Sequence, residues 1–462
     1  MPDESRAADA KHVRQHPLKI GVSGIRGVVG EFLTPALTAA FAQAFGTYVG
    51  AGRVIVGRDT RSSGDMLQHA VHCGLLAAGC EVIDVGILPT PTIQIFTGSS
   101  GARGGLAITA SHNPMEYNAL KLFGPHGLFF NHYERAELLD IYHESAFKHA
   151  SNDEMHSVRS DRETPVRTHV ERVLKLVDVE AIRARKFRVA LDGVNGAGSE
   201  LSVHFLRDVL GCELHAISVD PMKPFPREAE PKPEVLGDLS ALVRDHHCDV
   251  GFAQDPDGDR LAVADETGFV IDNDEVLALA VDASLARKTG PVVVNLTTSA
   301  VIDDVAARHG AQVHRTPVGE ANVVEIMTAV GAVIGGEGSN GGIIHPGVQL
   351  CRDSYTGMAL LLDRMQASGK RMSELAGGLP KYHRRYGKVG FQHGRLGTVM
   401  QTLEKAFPEA QIDRQDGLKL MLEDGWIHVR SSNTEPILRY AAEAKTAARA
   451  DDLLAAASKL LR

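Results

Sequence analysis

Basic charge is in deficit. Lys and Arg number 49 against 58 Asp and Glu, a net charge of −9. That balance excludes a broad nucleic-acid-binding face, which needs a basic surface, and leaves room only for a local basic pocket. Long apolar runs are missing as well: none reaches the roughly 18 residues a membrane span requires. The opening stretch MPDESRAADAKHVRQHP has no apolar core of the signal-peptide kind, so residues 1–18 read as a disordered lead-in. Cysteine is scarce. Cys73, Cys80, Cys212, Cys248 and Cys351 are odd in number and scattered, with no C-x-x-C pair. This excludes a disulfide framework and favours reduced, mostly buried thiols in a cytoplasm.

What is present is ample for a large fold. The 462 residues suggest three or four domains at roughly 100–200 residues each. Hydrophobic residues at 44% and charged residues at 23% are ordinary globular values, enough for several cores. Glycine, at 46 residues, exceeds the usual share of roughly 7%. Aperiodic glycine points to tight loops where backbone approaches a ligand.

A strand–polar loop–helix pattern recurs three times: RVIVGRDTRSSG at 53–64, RVALDGVNGAGS at 188–199 and PVVVNLTTSAVIDD at 291–304. Each helix is followed by a restart at a glycine, GCEVIDVG, GCELHAIS and GAQVHRTP, as helix stops predict. Each unit then has a third strand, GGLAIT, CDVGFA and GAVIGG, and after it a polar loop: ASHNP, QDPDGDR and EGSNGG. Ligands of open α/β sheets bind beyond the carboxyl ends of strands, so three such loops can converge on one site. The last 90 or so residues differ. KLMLEDGWIHVRSS predicts two strands around a turn, ILRYAAEAK a third, and ARADDLLAAASKLL an amphipathic helix: a smaller antiparallel α+β domain. The expected boundaries are 19–158, 159–260, 261–372 and 373–462.

Each loop has its own chemistry. Ser111 and His112 stand side by side on a tight turn, and a serine hydroxyl accepts a phosphoryl or acyl group when a base takes its proton. The same residues also make an ordinary turn or cap. Lys121, ten residues on, lies on a strand that can return to the same pocket. Asp255, Asp257 and Asp259 alternate within five residues; such carboxylates repel one another unless a cation lies among them, and hard oxygen ligands suit Mg²⁺ or Ca²⁺. Arg260 replaces the glycine an EF-hand requires, and the flanks are strand-like, which excludes that motif. Arg260 suits an anion beside the metal. Glu337 and Ser339 offer partners for sugar hydroxyls. Arg430, Ser432, Asn433 and Thr434 form a set that binds a dianionic phosphate as readily as it forms a Ser or Asx turn. Gly21 to Gly27 is a glycine-rich turn carrying Arg26.

In this order and on this repeat, the loops TASHNP, DPDGDR, GEGSNGG and RSSNTEP resemble those of the α-D-phosphohexomutase superfamily, which includes phosphoglucomutase, phosphomannomutase and phosphoglucosamine mutase. The metal loop has Pro256 where the family usually has Gly. The sugar loop departs further, with Asn340-Gly341 in place of Gly-His. The resemblance implies four domains around a central cleft, and a phosphoserine at Ser111 that moves phosphate between C6 and C1 through a sugar bisphosphate. It implies one Mg²⁺ held by Ser111, Asp255, Asp257 and Asp259, with hexose 1,6-bisphosphate as activator. Arg26, His112 and Lys121 would act around the transferring group, and Lys121 or His112 would move the hydroxyl proton. Arg260, Glu337, Ser339, Arg430, Ser432, Asn433 and Thr434 would bind substrate. Small hexose phosphates are the expected partners, with no nucleic acid or membrane, in a monomer or homodimer. Glucosamine phosphate is the expected sugar, and glucose or mannose phosphate the alternative. A phosphatase and a non-catalytic sugar-phosphate binder are the readings from other classes.

Overall fold

A computed structural model describes residues 19–21, 24–390, 396–431 and 437–461. The lead-in 1–18 and three expected phosphate-loop residues, Ser432, Asn433 and Thr434, lie outside them. The β-branched runs form strands as expected: Arg53–Arg58, Arg188–Asp192 and Val292–Asn295 open the three units. The third strands are Gly104–Ile108, Val250–Gln254 and Ile334–Glu337, every residue of which is buried. Each lies parallel to the first strand of its unit. Each is also followed by an antiparallel return strand: Tyr117–Phe123, Leu261–Asp265 and Gly342–His345. In all three sheets the order is therefore return strand, third, first, second. The repeat read from the sequence is a repeat of topology, and each polar loop is the turn between third and return strands.

Pairing corrects the expected boundaries. Strand Arg159–Ser160 extends the first sheet beside Glu81–Ile87, past the expected limit of 158. The limit at 260 falls inside the second hairpin, whose return strand Leu261–Asp265 belongs to the second sheet. The limit at 372 cuts helix Met372–Gly377, which packs through Met372, Leu375 and Ala376 on the core of the middle units. A hairpin arm goes with the strand just before it, and a packed helix goes with the core it covers.

The second and third units share one core. It runs through helices Asn273–Arg287 and Ser354–Ser368, which are buried nearly all round, as a core helix must be. The first unit has its own core around Phe41, Phe45, Val54 and Leu106. The fourth unit is separate: an antiparallel sheet in the order His383–Gly390, Ile437–Ala444, Gly425–Ser431, Leu418–Leu422, Gln411–Asp413. Helices Leu396–Ala406 and Ala447–Leu461 contribute to its small core. The fold class is as expected, three similar mixed-sheet units and a smaller α+β domain. No helix among the described residues is long and apolar enough to cross a membrane.

Candidate active site

Ser111 follows strand Gly104–Ile108 with φ 49°, a left-handed backbone that costs a serine about 1–3 kcal/mol and persists only where its surroundings impose it. They do. The Ser111 amide donates to Thr109 Oγ1 at 2.9 Å, and Thr109 donates to Asp59 Oδ2 at 2.6 Å. The buried Arg61 guanidinium donates to four carbonyls of the loop: Ser111 and Asn113 at 2.6 Å, Pro114 at 2.5 Å and Tyr117 at 3.1 Å. Its Nε pairs with Asp59 at 3.1 Å. Arg61 and Asp59 are absent from the sequence-derived site, although both stand in the quoted RVIVGRDTRSSG.

The Ser111 side chain reaches the second unit. Its Oγ donates to Asp255 Oδ2 at 2.8 Å, and His112 Nδ1 lies 3.4 Å away. Asp255, Asp257 and Asp259 are buried, each placing an oxygen within 4.8 Å of the others'. Lys121 joins them from the first unit, donating to Asp257 Oδ2 at 2.6 Å and Asp259 Oδ2 at 3.2 Å. Thr90 donates to Asp257 Oδ2 at 2.6 Å. Two oxygens, Asp257 Oδ1 and Asp259 Oδ1, are buried with no hydrogen-bond partner among the described residues. Orphaned carboxylate oxygens at the centre of an acidic group fit a hard divalent cation.

The electrostatics follow from burial and from these neighbours. Burial, then the Asp259 and Asp257 carboxylates, push Asp255 well above the ordinary carboxylate range. Burial works the same way on Asp257, but Lys121 and the hydrogen bonds from Asp255, Lys121 and Thr90 hold it below that range. Burial opposes the charge of Lys121, and Asp257 and Asp259 outweigh it, so the ammonium is retained. Burial, with Arg260 and Arg26 adding repulsion, pushes His112 down to about 2, leaving a neutral ring.

Arg26 donates to Asn113 Oδ1 at 2.6 Å, so it braces the serine loop. It rides on strand Gly24–Val28, paired with Tyr117–Phe123. Gly24 has φ +115°, and a Cβ there would stand 1.8 Å from the Leu120 carbonyl oxygen, so no other residue lets these strands close. Arg260 donates to Glu230 Oε1 at 2.6 Å, on a proline-rich loop of the second unit.

The third unit enters through a residue the sequence reading misses. Arg352, on strand Gln349–Arg352, donates to Asp259 Oδ2 at 2.7 Å, to Glu320 Oε2 at 2.9 Å and to Glu337 Oε2 at 3.4 Å. One guanidinium thus ties the metal loop to the sugar loop. Glu337 itself is buried, its Oε1 accepting from Asn295 Nδ2 at 2.9 Å and the Gly319 amide at 2.8 Å. Ser339 and Asn340 face outward. They line a cavity of about 700 Å³ shared with Arg430, Lys388, Tyr386 and His428 of the fourth unit and with Glu230 and Lys232 of the second. Gly341 has φ +68°, and a Cβ there would stand 2.7 Å from the Leu261 carbonyl oxygen, which accounts for glycine after Asn340.

The domain families described as phosphoglucomutase/phosphomannomutase alpha/beta/alpha domains I, II and III and C-terminal domain match residues 17–149, 167–268, 272–382 and 395–460, in that order. The chain belongs to the phosphoglucomutase/phosphomannomutase family. Its reaction class is that of a phosphohexomutase, an intramolecular phosphotransferase. A Thermococcus kodakarensis relative named "Phosphoglucomutase/phosphomannomutase" is 40% identical over 96% of this chain and 98% of its own. A Methanopyrus kandleri relative named "Probable phosphoglucosamine mutase" is 40% identical over 94% and 95%. The crystal structure of a Burkholderia thailandensis phosphoglucomutase/phosphomannomutase family protein superposes with TM-score 0.82 at 26% identity, covering 96% of this chain and 98% of that one. Aspergillus fumigatus N-acetylphosphoglucosamine mutase, solved with GlcNAc-6P and magnesium, has the same fold at TM-score 0.62 and 15% identity, over 96% and 95%.

In this phosphohexomutase the expected residues fall into two groups. Ser111, His112, Lys121, Arg26, Asp255, Asp257, Asp259 and Arg260 meet at the junction of the first two units. Ser339 and Arg430 share the open cavity. Glu337 stands between them, reaching the first group through Arg352.

Proposed function

We propose that Ser111 is the phosphoryl carrier and that the open cavity receives the hexose phosphate. The observation that carries this is the Ser111 hydroxyl on Asp255 at 2.8 Å, inside a carboxylate group with two orphaned oxygens. In the forward half-reaction the bond between Ser111 Oγ and phosphorus breaks as a sugar hydroxyl oxygen bonds to phosphorus; the sugar hydroxyl gives up its proton, the Ser111 oxygen gains one, and a bisphosphate results. After the bisphosphate turns over, its other phosphoryl group returns to Ser111 Oγ. The supplied activator, a hexose 1,6-bisphosphate, charges an empty Ser111 in the same way.

Phosphoryl transfer needs positioning and charge neutralisation more than covalent help. Arg61 and Arg26 hold the serine loop in its strained turn. Lys121 keeps its proton and balances Asp257 and Asp259, which suits it to donate to the leaving serine oxygen. Two groups within reach of the Ser111 proton on its return are Asp255 at 2.8 Å and neutral His112 at 3.4 Å. A bound Mg²⁺, held by Asp255, Asp257, Asp259 and an oxygen on Ser111, would withdraw charge from the transferring group. Arg260 is available to an anion once Glu230 lets go, and Arg430, with Ser432, Asn433 and Thr434 beside it in sequence, grips the phosphate that is not reacting. Ser339 meets sugar hydroxyls in the cavity, and Glu337, buried and bridged by Arg352, sets the shape of that loop.

Glucosamine 6-phosphate, converted to the 1-phosphate, is the substrate we infer; the probable phosphoglucosamine mutase relative supports it. Glucose and mannose phosphates are the second reading, supported by the equally similar phosphoglucomutase/phosphomannomutase relative. Purified protein assayed with glucosamine, glucose and mannose phosphates, in Mg²⁺ and trace bisphosphate, decides between them. The expected result is the highest kcat/KM for glucosamine phosphate. A clear preference for glucose or mannose phosphate would overturn the sugar assignment, and turnover of none of them would overturn the mutase assignment.

A further inference from the structure

The third sheet has a second polar end. Strands Ile334–Glu337 and Gly342–His345 are joined by the sugar loop at one end. At the other, Val333 and His345 border a recess of about 380 Å³. Three residue steps of strand set the recess roughly 10 Å from the sugar loop. None of its lining residues belongs to the serine junction or lines the open cavity.

Its lining is one-sided in charge. Lys175 follows helix Glu163–Leu174, Lys288 follows helix Asn273–Arg287, and both are exposed. Neither has an ion-pair partner among the described residues, whereas Arg287 beside them is answered by Asp363 at 2.6 Å. No carboxylate is among the described lining residues. Ser284, 4% exposed, adds a buried Oγ with no hydrogen-bond partner among the described residues. A buried hydroxyl left so costs about 1–3 kcal/mol. His345 adds a donor. The Gly347 amide donates to its Nδ1 at 3.1 Å, so the neutral ring carries its proton on Nε2. Burial pushes this imidazole down to about 4, so it stays neutral near pH 7. Leu176, Val333 and Leu360 supply an apolar wall.

Two unopposed ammonium groups, a hydroxyl and an imidazole N–H around a pocket of this size match the acceptor oxygens of a phosphate group. In a chain of net charge −9, an unopposed positive recess concentrates anions locally. We propose that this recess is a second anion site, separate from the reaction site, taking phosphate ion or the phosphoryl end of a small phosphomonoester.

The test titrates inorganic phosphate into the full-length protein and into the double variant Lys175→Ala/Lys288→Ala. Both lysines are exposed, and neither belongs to the catalytic or binding machinery, so kcat and KM for hexose phosphate should be unchanged. The expected result is one phosphate fewer per chain in the variant, or one class weakened at least about tenfold. Crystals grown in phosphate should show density within hydrogen-bond distance of Ser284 Oγ and Lys288 Nζ. Competition with adenosine monophosphate separates the two sources: lysine-dependent displacement assigns the site to a monoester, and lysine-dependent binding without displacement assigns it to the free ion. Equal phosphate binding by both proteins, or no density in the recess, overturns the proposal.

Discussion

The serine junction and the Arg430 cavity are the two places proposed to handle phosphate, and they are built in opposite ways. At the junction Ser111, Lys121 and the three aspartates are all 3% exposed or less. Charged groups there are tied together: Arg61 to four carbonyls, Lys121 to two aspartates, Arg352 to three carboxylates. The cavity is open, its cations and hydroxyls facing about 700 Å³ of space. Buried charge is strongly coupled and intolerant of change, whereas exposed charge is screened and replaceable. The contrast fits the proposal that chemistry belongs to the closed end and selection of the sugar phosphate to the open one.

That contrast can be broken or sharpened by substitution. The largest effect should come from Ser111→Ala, which removes the proposed carrier and should cut mutase turnover by about 10⁴-fold or more with an unchanged circular dichroism spectrum. Measurable wild-type turnover would break the comparison at its closed end. Next is Asp257→Ala, expected to reduce kcat by about 10²–10³-fold, with no rescue by raised Mg²⁺ in steady-state assays.

Glu320 tests the cost of the closed end through stability. Burial, offset in part by Arg352, pushes its carboxyl up to about 7. Between pH about 4.5 and 7 the folded chain holds a proton there that the unfolded chain has released. The stability from this group is therefore full below that window and lost as pH rises through it. Glu320→Gln should flatten that slope, by about 1–3 kcal/mol between pH 5 and pH 8, as read by urea denaturation at both pH values. The smallest effect belongs to the open end. Arg430→Ala should raise KM about tenfold with little change in kcat or melting temperature, and an unchanged KM would remove Arg430 from the phosphate grip.

What was legible in the sequence divides along the same line. Ser111, Asp255, Asp257 and Asp259 stand in short loops whose chemistry is local, and the threefold recurrence of strand, loop and helix predicted where those loops meet. Arg352 carried no such signal. Its partner Asp259 is 93 residues away, and an arginine before a helix cap reads as a surface residue. Arg61 is hidden for the same reason, its carbonyl acceptors lying 50 to 56 residues on. In the fourth unit the strand His383–Gly390 went unread because its sequence HRRYGKVG has little apolar alternation; the sheet recruits it by pairing with Ile437–Ala444. The boundary at 260 failed because motif order marks loops, whereas hydrogen bonds across a hairpin mark units.

In the proposed reaction phosphate passes through Ser111 and on to a sugar rather than to water. Enzyme labelled with ³²P and mapped by peptide mass spectrometry should carry the label on Ser111, and unlabelled hexose phosphate should take it up into hexose phosphate and bisphosphate. Label found on another residue, or released only as inorganic phosphate when the sugar is added, would contradict it.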